Sequence, residues 1–336
     1  MKITAAHVRP VDSLTAAQSI IEVHTDEGAT GTAFLTEAAH PRLATLVAEI
    51  LVGEDPRAAS SHWQRLATAN DRADRALARE IAALDIALWD LKAKLNNEPL
   101  WRTLGGTRPR ANVHVRLPAE ARDDLNAWCK SIAAIGIRGV VVDVSTNAEG
   151  DARTLVSLRD ALGRSADRSY LLDANEQWLP KVAIRSISAI EREVDLTWIE
   201  SPTHARDFLG SKRIVDGIRS AVCSGGRLTS MAEFLPHLHH RSLNVVQLNV
   251  ARLGITQALQ IADAAYGFEL PIALTASIGN LHAHIASALV YCASMEWSLD
   301  DSASSDARLV AGWATVGDAI GHGITIERAN VEESRR

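Results

Sequence analysis

The sequence has little cysteine and no long apolar stretch. Its 336 residues include 3 cysteines, Cys129, Cys223 and Cys292, which lie far apart. So few cysteines exclude a disulfide framework and a cysteine-rich metal site, and they favour a reducing compartment, so a cytoplasmic protein is predicted. No apolar run approaches the ~18 residues that a membrane helix needs. The first residues also lack the apolar core of a signal peptide.

An excess of positive charge is missing as well. Lys and Arg number 35 against 41 Asp and Glu, which gives a net charge of -6. Because no basic stripe is present, neither nucleic acid nor an anionic membrane is expected as a partner. A nucleophile elbow, a P-loop and a glycine-rich dinucleotide loop are also absent. The remaining composition, 47% hydrophobic and 23% charged, is that of a folded globular protein. The length suits two domains, or one large barrel with an appendage.

The first third of the chain combines strand and helix patterns. Residues 20–25 and 30–34 are rich in β-branched side chains and flank Asp26-Glu27-Gly28, which predicts a β-hairpin. Apolar residues at a spacing of three to four predict a helix over 43–50 and a stronger, longer one within 72–95, whose apolar stripe runs from Ile81 to Leu95. The second helix is expected to end near Asn96-Asn97. This region is therefore predicted to be α+β.

From residue 111 the pattern becomes cyclic. Short runs rich in β-branched residues alternate with amphipathic stretches, at the spacing of one β-loop-α-loop unit. The eight runs are 113–117, 139–144, 170–173, 196–200, 221–224, 245–248, 271–275 and 290–297. Eight such units predict a closed parallel barrel rather than an open sheet.

Polar side chains end these predicted strands, and in a parallel barrel the catalytic groups lie at the carboxyl-terminal strand ends. The strand-final polar residues are Asp143, Asp173, Asn175, Glu200, Arg227, Asn249, Thr275 and Glu296. Asp173 and Glu200 end neighbouring strands, and two converging carboxylates repel each other unless a cation lies between them. Carboxylate oxygens suit Mg²⁺ or Mn²⁺. Alternatively, these acidic residues end strands only because solvent begins there.

Seven strings of residues are specific when taken together, in order along the chain. They are IAALDIALWDLKAK at 81–94, PLWRTLGG at 99–106, DANEQW at 173–178, WIESP at 198–202, VQLNVARLG at 246–254, MEW at 295–297 and GHGI at 321–324. The ordered set resembles the mandelate racemase / muconate lactonising enzyme branch of the enolase superfamily. The resemblance covers nearly the whole chain.

That resemblance implies a modified TIM barrel of the (β/α)7β type with an N-terminal α+β capping domain. The cap would comprise residues 1–110, completed by a C-terminal tail from about 312 to 336, and the barrel would comprise residues 111–311. Residues 12–18 and 50–56 would supply cap loops near the barrel mouth. A homo-oligomer, either a dimer or an octamer, is expected by the same resemblance.

The resemblance also implies a chemistry. Members of the branch abstract the proton α to a carboxylate and stabilise the resulting enolate with a metal ion and a nearby acid. In this sequence Asp173 and Glu200 match the first two ligands of Mg²⁺, and Glu296 matches the acid that faces the enolate. The substrate would be a small carboxylate, namely a hydroxy acid or sugar acid.

The sequence departs from the family pattern at catalytic positions. The two lysines of strand two are replaced by an apolar residue and Asp143, and Gly226 stands where the third metal ligand belongs. Asn249 replaces an acid or lysine, and the histidine expected near Thr275 is absent. The resemblance therefore leaves an incomplete catalytic set.

Roles for the remaining polar residues follow from these positions. Asp143 is the candidate base and acts with Glu296 and Asn249. Asn175, Arg227 and Thr275 are candidate substrate-binding residues. If the Arg227 guanidinium turns into the mouth, it would pair with Asp173 or Glu200 or bind a substrate carboxylate. The alternative is that Arg227 points away from the barrel axis.

Two functional hypotheses remain open. The first is a divergent enzyme that acts on a small hydroxy or sugar acid as a dehydratase, racemase or cycloisomerase. The second is a barrel that has lost catalysis and binds a small anion or serves as a structural or regulatory partner.

Overall fold

The structure of the protein is a computed structural model. It describes residues 1–10, 19–36, 40–71, 77–107, 110–145, 147–163, 165, 167–299 and 305–324. The predicted cap loop at 12–18 and the predicted tail beyond 324 lie outside the described residues. In the part of the chain that is described, no helix has both the length and the apolar character needed to cross a membrane.

The N-terminal region is a three-stranded antiparallel sheet covered by helices. The strands are β1 (Ile3–Pro10), β2 (Ser19–Thr25) and β3 (Thr30–Leu35), and the helices are α1 (Leu43–Ile50), α2 (Ala59–Asp71), α3 (Ala78–Asn96) and the short α4 (Leu100–Thr103). The predicted hairpin is β2–β3, and both predicted helices are confirmed as α1 and α3. Asn97 ends α3 in the left-handed conformation (φ 57°), as its place after the apolar stripe predicted.

The rest of the chain forms the barrel, and its eight parallel strands are confirmed. They are β4 (Arg110–Arg116), β5 (Gly139–Asp143), β6 (Ser169–Asp173), β7 (Trp198–Glu200), β8 (Ala221–Ser224), β9 (Val245–Leu248), β10 (Ile272–Leu274) and β11 (Cys292–Glu296). Each strand pairs with the next, and β11 pairs with β4 to close the barrel. Two short strands, β12 (Arg308–Val310) and β13 (Trp313–Thr315), extend β4 in antiparallel fashion.

In the described part of the barrel, seven α-helices connect the eight strands, which is the (β/α)7β arrangement. They are α5 (Leu125–Ala134), α6 (Ala148–Leu162), α7 (Pro180–Ile190), α8 (Phe208–Gly217), α9 (Met231–His240), α10 (Val250–Gly267) and α11 (His282–Ala288). Helices α5 to α10 each bury an apolar face and leave polar residues outside, which is the amphipathic pattern read from the sequence. Helix α11 is buried on nearly all sides, including His282 and His284.

The cap is joined to the barrel by buried hydrogen bonds from α3. The Asp85 carboxylate accepts from the Thr256 backbone N–H at 2.7 Å and from its hydroxyl at 2.6 Å. The indole of Trp89 donates to the same hydroxyl at 2.9 Å. The C-terminal segment also returns to the cap, where the Leu100 N–H donates to the Gly321 carbonyl at 2.7 Å. These contacts hold α3 above one side of the barrel.

Glycine is required at position 31, where β3 meets α3. A Cβ there would lie 2.0 Å from the Ala87 carbonyl oxygen and 2.6 Å from the Leu91 Cβ. We expect Gly31→Ala to lower the free energy of unfolding by about 1–3 kcal/mol, because the sheet and helix must move apart. Gly267→Ala is the matched control in urea denaturation. A Cβ at 267 meets nothing within 4 Å, so an equal loss there would contradict this explanation.

Candidate active site

The interior of the barrel has an apolar layer below a polar one. Alternation along the strands points every second side chain inward. The lower layer contains Val141, Leu171, Trp198, Cys223, Val245 and Ala273. Two residues further along the strands, the upper layer at the mouth contains Asp143, Asp173, Glu200, Gln247 and Thr275. Arg116 on β4 and Glu296 on β11 complete this upper layer.

Arg116 is the central group of the mouth. Its Nε donates to Glu296 Oε1 at 2.8 Å, and its Nη2 donates to Asp173 Oδ2 at 3.1 Å. Its Nη1 donates to Asp143 Oδ1. One guanidinium from β4 therefore bridges carboxylates from β5, β6 and β11. This fork-like geometry is what a guanidinium provides and a lysine ammonium does not.

The charges of this cluster shift one another's protonation. Burial opposes the charge on Arg116, yet Glu296, Asp173 and Asp143 raise its pKa above the ordinary value. Burial alone would raise the pKa of Glu296, but Arg116 outweighs it and the pKa is lowered. Burial raises the pKa of Asp173 despite the opposing effect of Arg116. Asp143 is the most accessible of the three, with 40% of its side chain exposed against 10% for Asp173 and 12% for Glu296.

Glu200 lies deeper and is held separately. Its Oε1 accepts from the Trp198 indole at 2.8 Å, and its Oε2 accepts from the Gln247 amide at 2.8 Å. Burial, and then the charge of Asp173, raises the pKa of Glu200 to about 8. The buried imidazole of His114 is 3.9 Å from Glu200, and burial lowers its pKa to about 4. Both shifts favour the uncharged form of the group.

Two loops at the mouth adopt unusual backbone conformations. Asn175, Glu176 and Ser201 have φ of 48°, 63° and 41°, in the left-handed region that side chains other than glycine rarely occupy. The turn lets the Asn175 N–H donate to Asp173 Oδ1 at 2.8 Å and its amide donate to Asp143 Oδ1 at 3.0 Å. Asn175 thus positions both carboxylates.

The remaining predicted residues lie in different places. Arg227 does not pair with Asp173 or Glu200; its side chain is 52% exposed and lies 3.5 Å from Glu176. The glycine that follows β8 explains this. Gly225 has a φ of 123°, which interrupts the alternation of inward and outward side chains before Arg227. Asn249 and Thr275 each carry a buried side-chain oxygen that has no hydrogen-bond partner among the residues that the structure describes. Both stay candidates for substrate contact.

These residues do not fit a divalent cation as the branch would hold one. At Gly226 a Cβ would lie 2.7 Å from Gln247 Oε1 and 3.2 Å from Thr275 Cγ2, so other side chains fill the third ligand position. Asp173 is engaged by Arg116, and both oxygens of Glu200 accept hydrogen bonds. Within the described ranges, no three His, Cys, Asp or Glu side chains form a group that could hold a metal ion.

Sequence reasoning missed Arg116, although a signal existed. The run Val113–Leu117 is predicted as the first barrel strand. Within it, His114 and Arg116 alternate with valines. Two polar residues at alternate positions of a buried strand indicate that the barrel interior is polar on that side. The family pattern places its catalytic residues on other strands, so Arg116 is not among the predicted site residues.

Comparisons with known proteins identify the family of this chain. Residues 6–105 match the family model for the N-terminal domain of mandelate racemase / muconate lactonizing enzyme. Residues 124–330 match the model for the enolase C-terminal domain-like family. The chain belongs to the mandelate racemase / muconate lactonizing enzyme branch of the enolase superfamily. The resemblance read from the seven strings is therefore confirmed.

The chain is similar to enzymes named for sugar acids and to enzymes named as dipeptide epimerases. The chain is 28% identical over 300 residues to L-talarate/galactarate dehydratase of Salmonella typhimurium, covering 86% of this chain and 73% of that protein. It is 26% identical to 3,6-anhydro-alpha-L-galactonate cycloisomerase of Streptomyces coelicolor, covering 91% and 88%. L-Talarate dehydratase from Polaromonas, solved with Mg and L-glucarate, superposes with a TM-score of 0.85 at 27% identity, covering 97% and 95%.

Proposed function

We propose that this protein is an acid/base enzyme that acts on a small hydroxy acid of the sugar-acid type. The observation that supports it is the convergence of Arg116, Asp143, Asp173 and Glu296 at the barrel mouth, where members of this branch bind their substrates. The relatives named above supply the substrate class. Dehydration, racemisation and cycloisomerisation share a first step, removal of the proton α to the carboxylate.

Asp143 is the proposed base because it is the accessible carboxylate of the cluster. It takes the α-proton and becomes a carboxylic acid. Arg116, fixed by its three ion pairs, offers positive charge where the enolate oxygens develop, and a pre-organised charge costs no reorientation during the reaction. The protonated Asp143 then returns the proton to carbon, or gives it to a departing hydroxyl group. Neither step uses a metal ion.

Asn249 and Thr275 are the proposed contacts for substrate hydroxyl groups. Buried polar atoms are nearly always hydrogen-bonded, and these two side-chain oxygens lack a partner within the described ranges. A polyhydroxy acid supplies hydroxyl groups that can satisfy them. A sugar acid fits this lining better than an apolar carboxylate does.

The test is proton exchange at the α-carbon. The protein is incubated in D₂O with galactarate, talarate, glucarate and galactonate, and loss of the α-proton signal is followed by NMR. We expect exchange with at least one acid, and Asp143→Asn should slow it about 100-fold or more because a general base contributes 10²–10⁴. Asp216→Asn, a surface carboxylate paired with Lys212, is the matched control and should exchange at the wild-type rate.

A second candidate is a barrel that binds a small anion without catalysis. It is favoured by the saturation of Arg116, whose three nitrogens all face carboxylates of the chain. Calorimetric binding of a sugar acid without α-exchange would support this candidate and contradict the first. Neither binding nor exchange with any acid would contradict both.

Other expectations from the sequence stay proposals. We propose a homo-oligomer, a dimer or an octamer, and a cytoplasmic location. The location rests on three separate free thiols, of which Cys129 and Cys223 are buried. Sedimentation analysis of the purified chain tests the oligomer.

A further inference from the structure

The positive charge at the barrel mouth comes from a side chain of the protein, the guanidinium of Arg116. Arg116 reaches from β4 between its neighbours β11 and β5, and it contacts an acidic side chain from each of them and from β6. Among the described residues, the printed ion pairs of these three carboxylates all come from Arg116. Arg122 donates to the backbone carbonyl of Asp143 at 3.0 Å and not to its carboxylate. The guanidinium therefore places one positive charge at the centre of the acidic layer.

We infer that Arg116 takes the place of the divalent metal ion in this protein, so that the wild-type mouth holds no metal. Solved relatives include a racemase from Streptomyces coelicolor with bound magnesium. In this chain the guanidinium engages one of the two matching carboxylates, and a glycine replaces the third ligand. The inference goes beyond the proposed reaction, because it applies equally to an enzyme and to a binding barrel.

The side chains around Glu200 complete the replacement. Gln247 donates to Glu200 and at the same time fills the space in front of Gly226. A ligand side chain at 226 would have to displace that amide. Trp198 holds the other oxygen of Glu200. The site is thus closed from the direction of β8 and β9, while Arg116 closes it from β4.

Removal of the guanidinium has a distinctive consequence. Asp143, Asp173 and Glu296 surround Arg116, and without it they face one another and the nearby Glu200. Carboxylates that converge without a counter-charge attract a divalent cation, and oxygen donors suit Mn²⁺. We therefore expect Arg116→Ala to create metal binding. A loss of folding or of packing alone would not create it.

The experiment is calorimetric titration with MnCl₂, supported by the EPR signal of free Mn²⁺. Wild type is expected to show no stoichiometric binding at millimolar Mn²⁺, whereas Arg116→Ala binds one ion per chain at least ten-fold more tightly. Asp173→Asn added to Arg116→Ala should abolish this gain. Arg138→Ala is the matched control, because Arg138 precedes β5 at the opposite end of the barrel and pairs with the exposed Asp167; it should behave as wild type.

Two results would overturn the inference. The first is stoichiometric sub-millimolar binding by wild type that Asp173→Asn removes. The second is a folded Arg116→Ala protein that binds Mn²⁺ no better than wild type. If Arg116→Ala does not fold, Arg116→Lys replaces it. One ammonium cannot contact three carboxylates in fork geometry, so the lysine variant should also bind Mn²⁺ more tightly than wild type, and failure to do so counts against the inference.

Discussion

Replacing Arg116 by methionine is expected to lower the free energy of unfolding by about 2–4 kcal/mol at pH 7. Breaking a buried ion pair costs about 3–5 kcal/mol because the partners are left uncompensated. The loss expected for Arg116 is smaller than this range because 32% of its side chain is exposed, and solvent screens its charge. Methionine keeps much of the length of the side chain, so the loss reports the charge more than the packing. Urea denaturation measures it.

This loss should depend on pH in a defined direction. The lowered pKa of Glu296 means that its pairing with Arg116 stabilises the fold above the unfolded pKa and is lost as the pH falls. Against the effect of burial, Arg116 lowers the pKa of both Glu296 and Asp173, so without it these two pKa values rise and the variant's folded state takes up protons at higher pH. The difference between wild type and variant should therefore shrink from pH 7 to pH 5. Arg138→Met, at an exposed pair, should cost less than about 0.5 kcal/mol at both pH values. A pH-independent loss would contradict the account.

Replacing Asp90 by alanine is expected to lower the free energy of unfolding by about 3–5 kcal/mol. Asp90 is fully buried on α3 and accepts hydrogen bonds from the backbone N–H groups of Thr32 and His322, each at 2.9 Å. Lys94 lies 2.6 Å away. These donors come from β3, the C-terminal segment and α3 itself. Alanine leaves the backbone N–H groups of Thr32 and His322 buried without this acceptor, which costs their full desolvation. Lys94 is 32% exposed and keeps its hydrogen bond to the Thr30 carbonyl at 2.9 Å.

The matched control for Asp90→Ala is Asp318→Ala. Asp318 is 81% exposed and pairs with Arg102 on the surface, so its removal should change the stability by less than about 0.5 kcal/mol. Burial would raise the pKa of Asp90, but His322 and Lys94 lower it overall. The stabilisation is therefore present above the unfolded pKa and disappears as the pH falls through the folded one. A loss below 1 kcal/mol at pH 7 would show that this junction does not hold the cap.

The barrel was predictable from the sequence because its signals are local. A buried parallel strand such as Val140–Val142 is a continuous apolar run, and its length and spacing identify it without knowledge of its neighbours. The placement of Asp143, Asp173, Glu200 and Glu296 followed, because each ends such a run. Strand ends converge by topology alone, so the acidic layer of the mouth was accessible to sequence reasoning.

The cation of the mouth was not predictable in the same way. Arg227 follows the end of β8, but the positive φ of Gly225 turns the chain and leads its side chain to Glu176 at the rim. Arg116 enters the mouth because its inward position on β4 lies beside three acidic strand ends. Which arginine meets the carboxylates depends on backbone turns and on strand register across the barrel, and neither is encoded in a short motif.

The most direct test of the account is a crystal structure of the wild-type protein soaked in MnCl₂, with anomalous diffraction recorded for manganese. The account predicts the Arg116 guanidinium between Asp143, Asp173 and Glu296, with no anomalous peak at the barrel mouth. An anomalous peak between Asp173 and Glu200, with Arg116 turned out of the mouth, would contradict it.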